Sequence, residues 1–357
     1  MKISYKFLLI LSITMFFTTT QGQYYLASGS KDGIKVWSPK KGSWSEIEDI
    51  ANLKAGLVDS LSFNPKGLLA SGSKDGIIRI WDPSQKWTAI FKSTTPPYGS
   101  TTSVAFIDKF LVSNTAGLGI KVFKSKNGKW EEIQTKKIVS KEDNRLDYGW
   151  SMVLCPKQIN GKYYLGTDFT TSYSKGIRII EADKNWKEIK KKKDLIGDEI
   201  AFSPDGKLAI NVDDSGHTIR IKSTKNWENT DEISKGKKIT KSTDFIKCLV
   251  FSPKVESKKN EAMYILIAGT YDGKVAILKI VTDKHGSSFK IIKTIPNKKI
   301  NAIAFSPDNK FVTFGLNKMI SIWKTADLVN KQIENPKPIK TFKASKSKIK
   351  ALALTQK

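Results

Sequence analysis

Between Ser60 and Pro83 (SLSFNPKGLLASGSKDGIIRIWDP) the apolar and polar positions fall into three short runs separated by two turn clusters. Leu61 and Phe63 share one face of the first run, which stops at Asn64-Pro65-Lys66-Gly67. There proline fixes φ and glycine tolerates the positive φ of a tight reversal. Leu68–Ser73 is a second run, with Ser71 and Ser73 on one face. Lys74-Asp75-Gly76 is a hairpin signal of the kind that matches the right-handed strand twist. Ile77–Trp81 is then β-branched and aromatic until Asp82-Pro83 ends it. The stretch predicts an antiparallel meander with one apolar side.

Imperfect copies recur from end to end, the signature of a repeat architecture. The first-strand pattern returns at Val104–Phe106, Met152–Pro156, Ile200–Gly206, Leu249–Pro253, Ile303–Asn309 and Leu352–Leu354, seven copies in all. The third-strand pattern, counted independently, also occurs seven times: Gly33–Trp37, Ile77–Trp81, Gly119–Phe123, Gly176–Ile180, Thr218–Lys222, Lys274–Leu278 and Met319–Trp323. A fourth strand opening on tryptophan follows most copies, at Trp44, Trp87, Trp130 and Trp186, with Trp227 degenerate. These rings are expected to pack on their own or a neighbouring blade. The spacing of roughly 40–57 residues lies near that of four-stranded propeller blades. The fold class is therefore all-β, a seven-bladed β-propeller. The chain begins on a second strand (Tyr24–Ser30) and finishes on a first strand (Ile349–Leu354), so N-terminal strands are expected to pair with the C-terminal one and close the ring.

Residues 1–22 read differently. Lys2 and Lys6 form a positive start, Phe7–Phe17 is mostly apolar, and Thr20 and Gly22 are small residues before a cut ahead of Gln23. This is the pattern of a cleaved signal peptide, and the apolar run falls short of the roughly 20 residues that span a bilayer. Residues 23–357 are expected to form the propeller, exported and without a membrane span. Lacking a disulfide framework and any Asn-x-Ser/Thr sequon, the chain fits a bacterial periplasm or secretion better than a eukaryotic secretory route.

Ser71-Gly-Ser-Lys-Asp75-Gly with Trp81-Asp82, and Phe202-Ser-Pro-Asp-Gly206, resemble the signature of the WD-repeat β-propellers. In that family a turn Asp, a Ser or Thr, a Trp and a loop His form a hydrogen-bonded chain that stiffens each blade. The resemblance implies structural roles for Asp75, Trp81 and Ser71 or Ser73 in blade two. It implies the same for Asp32, Trp37 and Ser28 or Ser30 in the closing blade, for Asp272 in blade six, and for Trp323 in the tryptophan slot of blade seven. The family's Gly-His pair is missing from every such loop. Trp-Asp survives once, at Trp81-Asp82, so the relay is expected to be incomplete.

Net charge is +27, yet only four of the 61 basic residues are arginine: Arg79, Arg145, Arg178 and Arg220. Arginine is the residue suited to phosphate and base-edge recognition, so nucleic acid is disfavoured and a solvated lysine surface is expected. An anionic envelope polymer is the electrostatic alternative. His217 and His285 are far apart, and Cys155 and Cys248 lie on first strands two blades apart, so neither a zinc site nor a disulfide is expected. Asp213-Asp214-Ser215-Gly216-His217, the densest polar cluster, reads as a hairpin turn. No cofactor and no catalytic constellation is expected, although lactonases share such folds.

Binding is expected at the axial mouth. One residue of each first strand should face it: Asp59, Thr102, Trp150, Asp198, Lys247, Asn301 and Lys350. Two long blade-four loops, Val139–Gly149 and Asp168–Lys175, add Glu142, Asp143, Arg145, Asp147, Tyr148, Phe169 and Tyr173 around Trp150. Long loops on a rigid scaffold concentrate binding, and Trp, Tyr and Arg are the usual hot-spot types. The expectation is a monomeric, non-enzymatic scaffold for protein partners, with a lactonase-like periplasmic enzyme as the alternative.

Overall fold

The structure is a computed structural model that describes residues 24–94, 101–115, 119–136, 152–159, 161–170, 175–182, 187–188, 199–212, 216–225, 237–238, 245–258, 261–296 and 299–356. Residues 1–23, including the expected signal segment, lie outside the described residues. Seven antiparallel sheets form seven blades, each built inner strand to outer strand. Blade one takes its inner strand from the C-terminus: Ala351–Gln356, then Tyr24–Ser30, Gly33–Lys40 and Ser43–Leu53. Blade two is Val58–Phe63, Leu69–Ser73, Ile77–Asp82 and Thr88–Thr94; blade three is Thr101–Ile107, Phe110–Thr115, Gly119–Lys126 and Lys129–Lys136. Blades four and five begin at Met152–Leu154 and Ile200–Phe202. Blade six starts at Ile246–Phe251 and carries an extra strand, Glu256–Lys258, while blade seven starts at Ile300–Phe305.

The turn chemistry that patterned the sequence is visible in place. Asn64 Oδ1 accepts from the Lys66 and Leu68 amides, and Gly67 has φ +82°. Asp75 Oδ1 accepts from the Ile77 amide, and Gly76 has φ +75°. These local bonds fix the hairpins from within each blade.

Apolar packing lies between blades as much as within them. Tyr24, Leu26, Trp37 and Trp44 cluster with Ile320, Ile322 and Leu352 across blades seven and one. Ala70, Ile78, Ile80, Val104 and Phe123 cluster across blades two and three. A ring of small cores lets one domain exceed the size at which a single core stops growing. The outer-strand tryptophans serve these seams: Trp44 meets Tyr24 and Phe311, Trp87 meets Tyr25 and Phe63, and Trp130 meets Phe106. Trp186 and Trp227 lie outside the described residues. Near the axis blades approach until no side chain fits: a Cβ on Gly29 would sit 2.5 Å from Val58 Cγ1, and one on Gly72 would sit 2.8 Å from Thr101 Cγ2. Both cysteines are free, and Cys155 Sγ donates to the Lys157 carbonyl at 3.1 Å.

Two polar latches cross the seams. In the Ser-Pro-Asp turns, Ser203 and Ser306 donate to Asp205 and Asp308, each at 2.7 Å. The other oxygen of each carboxylate accepts from a tyrosine of the next blade: Tyr264 to Asp205 at 2.9 Å, and Tyr24 to Asp308 at 2.5 Å. Tyr24 therefore ties blade seven to blade one as its strand pairs with the C-terminus. That pairing runs from Tyr24↔Gln356 to Gly29↔Ala351 and closes the ring.

Deleting residues 351–357 strips this pairing and removes Leu352 and Leu354, whose burial alone is worth about 3–6 kcal/mol. The expected result is a large drop in melting temperature together with self-association through the bared strand, read by scanning calorimetry and size-exclusion chromatography. An unchanged melting profile would show that closure does not hold the ring.

Candidate functional site at the axial mouth

Four of the inner strands share one backbone irregularity. In blades two, three, six and seven the ladder between first and second strands skips one residue. Val58 and Ser60 pair with Ser73 and Gly72, leaving out Asp59; Thr101 and Ser103 leave out Thr102; Ile246 and Cys248 leave out Lys247; Ile300 and Ala302 leave out Asn301. A β-bulge of this kind re-aims the extra residue. All four are residues that the aligned first-strand motifs assign to the mouth, and a bulge sets each of them outside the strand ladder. Lys350 directly precedes the closing strand, its amide donating to the Gly29 carbonyl at 2.9 Å.

Two contacts link neighbouring blades there. Lys350 Nζ pairs with Asp59 Oδ1 at 2.6 Å, and Lys247 Nζ donates to Asn301 Oδ1. Lys247 also lies 5.1 Å from the Tyr271 ring centroid, and Lys299 lies 5.2 Å from the same ring. Burial, and then the like charges of Lys348 and Lys299, push the Lys247 ammonium down to about 8. Phe245 stands beside Tyr271, its carbonyl accepting the Tyr271 amide at 2.9 Å, and its ring lies 4.6 Å from that of His217. Phe245 and Tyr271 are each 48% exposed, unlike almost every other large apolar side chain among the described residues.

Sequence reasoning missed these two rings. Phe245 lies two residues before Lys247, and Tyr271 directly before the Asp272-Gly273 turn; both positions join the mouth only once Ile246 pairs with Thr270. The remaining predicted mouth residues, Arg145, Asp147, Tyr148, Trp150 and Asp198, lie outside the described residues, as do Glu142, Asp143, Tyr173, residues 213–215 and the side chains of Thr102 and Phe169.

The residues given blade-stiffening roles make mostly local contacts within their blades. Trp81 Nε1 donates to Ser71 Oγ at 3.0 Å and Trp323 Nε1 to Ser321 Oγ at 2.8 Å, while Trp37 packs edge-on against Phe342. Asp75 receives Arg79 at 2.8 Å, and Asp272 accepts from Thr270 and pairs with Lys274. In the closing blade the loop before the inner strand supplies a serine: Ser345 Oγ contacts Ser30 Oγ at 3.0 Å and Asp32 Oδ2 at 2.7 Å. The Lys346 and Ser347 amides complete the Asp32 cradle. The Ser345 hydroxyl, with those amides, holds Asp32 below the usual carboxylate range. Burial opposes the charges of Asp75 and Asp308, but Arg79 on one and Tyr24 and Ser306 on the other outweigh it and hold both low.

The WD domain, G-beta repeat family model matches residues 50–82 and 289–324. Each match begins on the outer strand of one blade and ends on the third strand of the next, the same offset that the ring closure uses. The chain is a seven-bladed β-propeller that carries WD repeats in these two stretches. This WD-repeat propeller is similar in fold to a protein from Lactobacillus plantarum (TM-score 0.64, 12% identity, 93% of this chain and 99% of that one). It is similar also to the Cps50 (Swd1) β-propeller domain of Myceliophteria thermophila (0.60, 15%, 86% and 92%). A structure described as a 6-phosphogluconolactonase from Bacteroides uniformis matches at 0.61 and 12% identity, over 94% of this chain and 99% of that one. No curated protein matches the WD-repeat propeller in sequence.

The three lowered carboxylates set an acid limit. Their stabilisation is complete above the unfolded value, about 3.9, and is lost as pH falls through the lower native values. Melting temperature is expected to hold at mildly acidic pH and to fall below about pH 4, with a shallower fall in Asp308→Asn. Scanning calorimetry across pH checks this; an Asp308→Asn profile parallel to wild type would remove that latch from the account.

Proposed function

We propose that this WD-repeat propeller is an exported, non-enzymatic interaction platform that holds protein partners on its axial face. The observation that carries this reading is the pair of half-exposed rings, Phe245 and Tyr271, at the rim of the mouth. Exposed aromatics on a rigid scaffold are the usual anchors of protein interfaces. The WD-repeat match agrees, since such propellers commonly bind proteins. The described rim offers lysines, an asparagine, aromatic rings and an aspartate, Asp59, that is held by Lys350, a set suited to binding. The lactonase reading has the fold shared with the Bacteroides uniformis structure in its favour.

Export rests on the charged, apolar and small-residue pattern of Met1–Gly22. No helix among the described residues is long and apolar enough to cross a membrane. Edman sequencing of the protein from its native host is expected to begin at Gln23; an intact N-terminus would remove the export part of the proposal.

The platform is tested by affinity capture from envelope and secreted fractions at low and high salt, with wild type beside Trp150→Ala and Tyr271→Ala. A partner that survives high salt and weakens by about 30-fold in Tyr271→Ala is expected, the loss typical of one hot-spot ring. Partners lost to salt alone, and indifferent to both substitutions, would make the dispersed lysine surface the binding agent instead. Hydrolysis of a sugar lactone by the purified protein would favour the enzyme.

A further inference from the structure

Positive charge gathers in one quadrant of the mouth. Lys247 projects from the bulge of blade six, Lys299 from the loop entering blade seven, and Lys348 from the loop entering the closing strand. Among the described residues none of the three makes an ion pair, whereas nearby Lys350 has Asp59 and Lys274 has Asp272. Lys247 is faced by Lys348, by Lys299 and Asn301 of blade seven, by Tyr271 of its own blade, and by Cys248 next in the chain. Glu199, just before the inner strand of blade five, acts on the same Cys248, yet none of the three lysines pairs with a carboxylate among the described residues. Held close at a partly desolvated site, like charges repel, and an incoming anion relieves them without the loss of a proton.

The flanking rings narrow the choice of anion. Two ammonium groups already lie over Tyr271, and Phe245 lies against His217. Those contacts take ring faces on which a nucleic-acid base would stack, and leave edges suited to a side chain. A long polyanion would need no rings at all.

We propose that Lys247, Lys299 and Lys348, flanked by Phe245 and Tyr271, form a docking site for an acidic segment of a partner protein that carries an aromatic or apolar side chain among its carboxylates. The inference rests on the platform reading and supplies the chemistry of its partner. Binding favours the charged form of Lys247, so affinity is full below that lysine's own titration and declines as pH rises through about 8.

The test is fluorescence anisotropy with a labelled Glu-Glu-Phe-Glu-Glu peptide, its Gln-Gln-Phe-Gln-Gln counterpart, a heparin fragment and a single-stranded oligonucleotide. Proteins are wild type, Tyr271→Ala, the double variant Lys247→Gln/Lys299→Gln, and Lys126→Gln/Lys129→Gln, which loses equal charge on blade three. The acidic peptide is expected to lose about tenfold in affinity on the mouth double variant and less than about twofold on the blade-three control. Wild-type affinity should fall between about pH 7 and about pH 9. Equal losses in the two double variants, equal binding of the glutamine peptide, or tighter binding of heparin or oligonucleotide would overturn the proposal. Should the mouth double variant not fold, Tyr271→Ala and the pH profile decide it. A partner captured through Trp150 but indifferent to Lys247→Gln/Lys299→Gln removes this inference and leaves the platform. Peptide binding without any axial-face partner removes the platform alone.

Discussion

Everything in this propeller depends on one antiparallel pairing between the two ends of the chain. Ala351–Gln356 lies along Tyr24–Ser30, and without it blade one has no inner strand and blade seven loses its neighbour on that side. The closure is reinforced at both ends of the strand. On one face Tyr24 reaches Asp308, and on the other Ser345 reaches Ser30 and Asp32. A stack of repeats gains stability from nearest-neighbour contacts, so an open stack would leave two blades half-packed while a closed one leaves none. Glycines at the narrow end of the wedge, such as Gly29 and Gly72, let the blades come close enough for that closure to be made.

Most of the architecture was legible because its determinants are local. Alternation, Asp-Gly hairpins and Ser-Pro-Asp turns are read within a few residues, and all seven inner strands fall where the repeats predict them. The bulges were not legible, because a skipped residue is a property of two strands and not of either alone. For the same reason Phe245 and Tyr271, 26 residues apart in the chain, gave no joint signal. Ser345 was invisible in another way. A hydroxyl in a lysine-rich loop carries no pattern until Asp32 is seen facing it. The blade-four residues that dominated the sequence reading of the site, Trp150 and Tyr148 above all, lie outside the described residues, so blades six and seven carry the structural argument.

The charge distribution separates surface from site. A net charge of +27 spread over lysines on every blade is largely screened beyond about 10 Å in ordinary buffer. At the mouth, however, burial and proximity make three of those charges act on one another. Electrostatics here is a matter of where water is excluded and much less of how many lysines there are.

The bulges also separate recognition from folding. A residue left out of the ladder adds nothing to strand register and occupies no place in the inter-blade cores. Aspartate, threonine, lysine and asparagine hold equivalent positions in four blades on the same backbone device. The mouth is thus a set of interchangeable characters written on a fixed frame. The frame fixes where each of these residues stands and leaves its character open, apart from the blade-to-blade contacts that Asp59, Lys247 and Asn301 make.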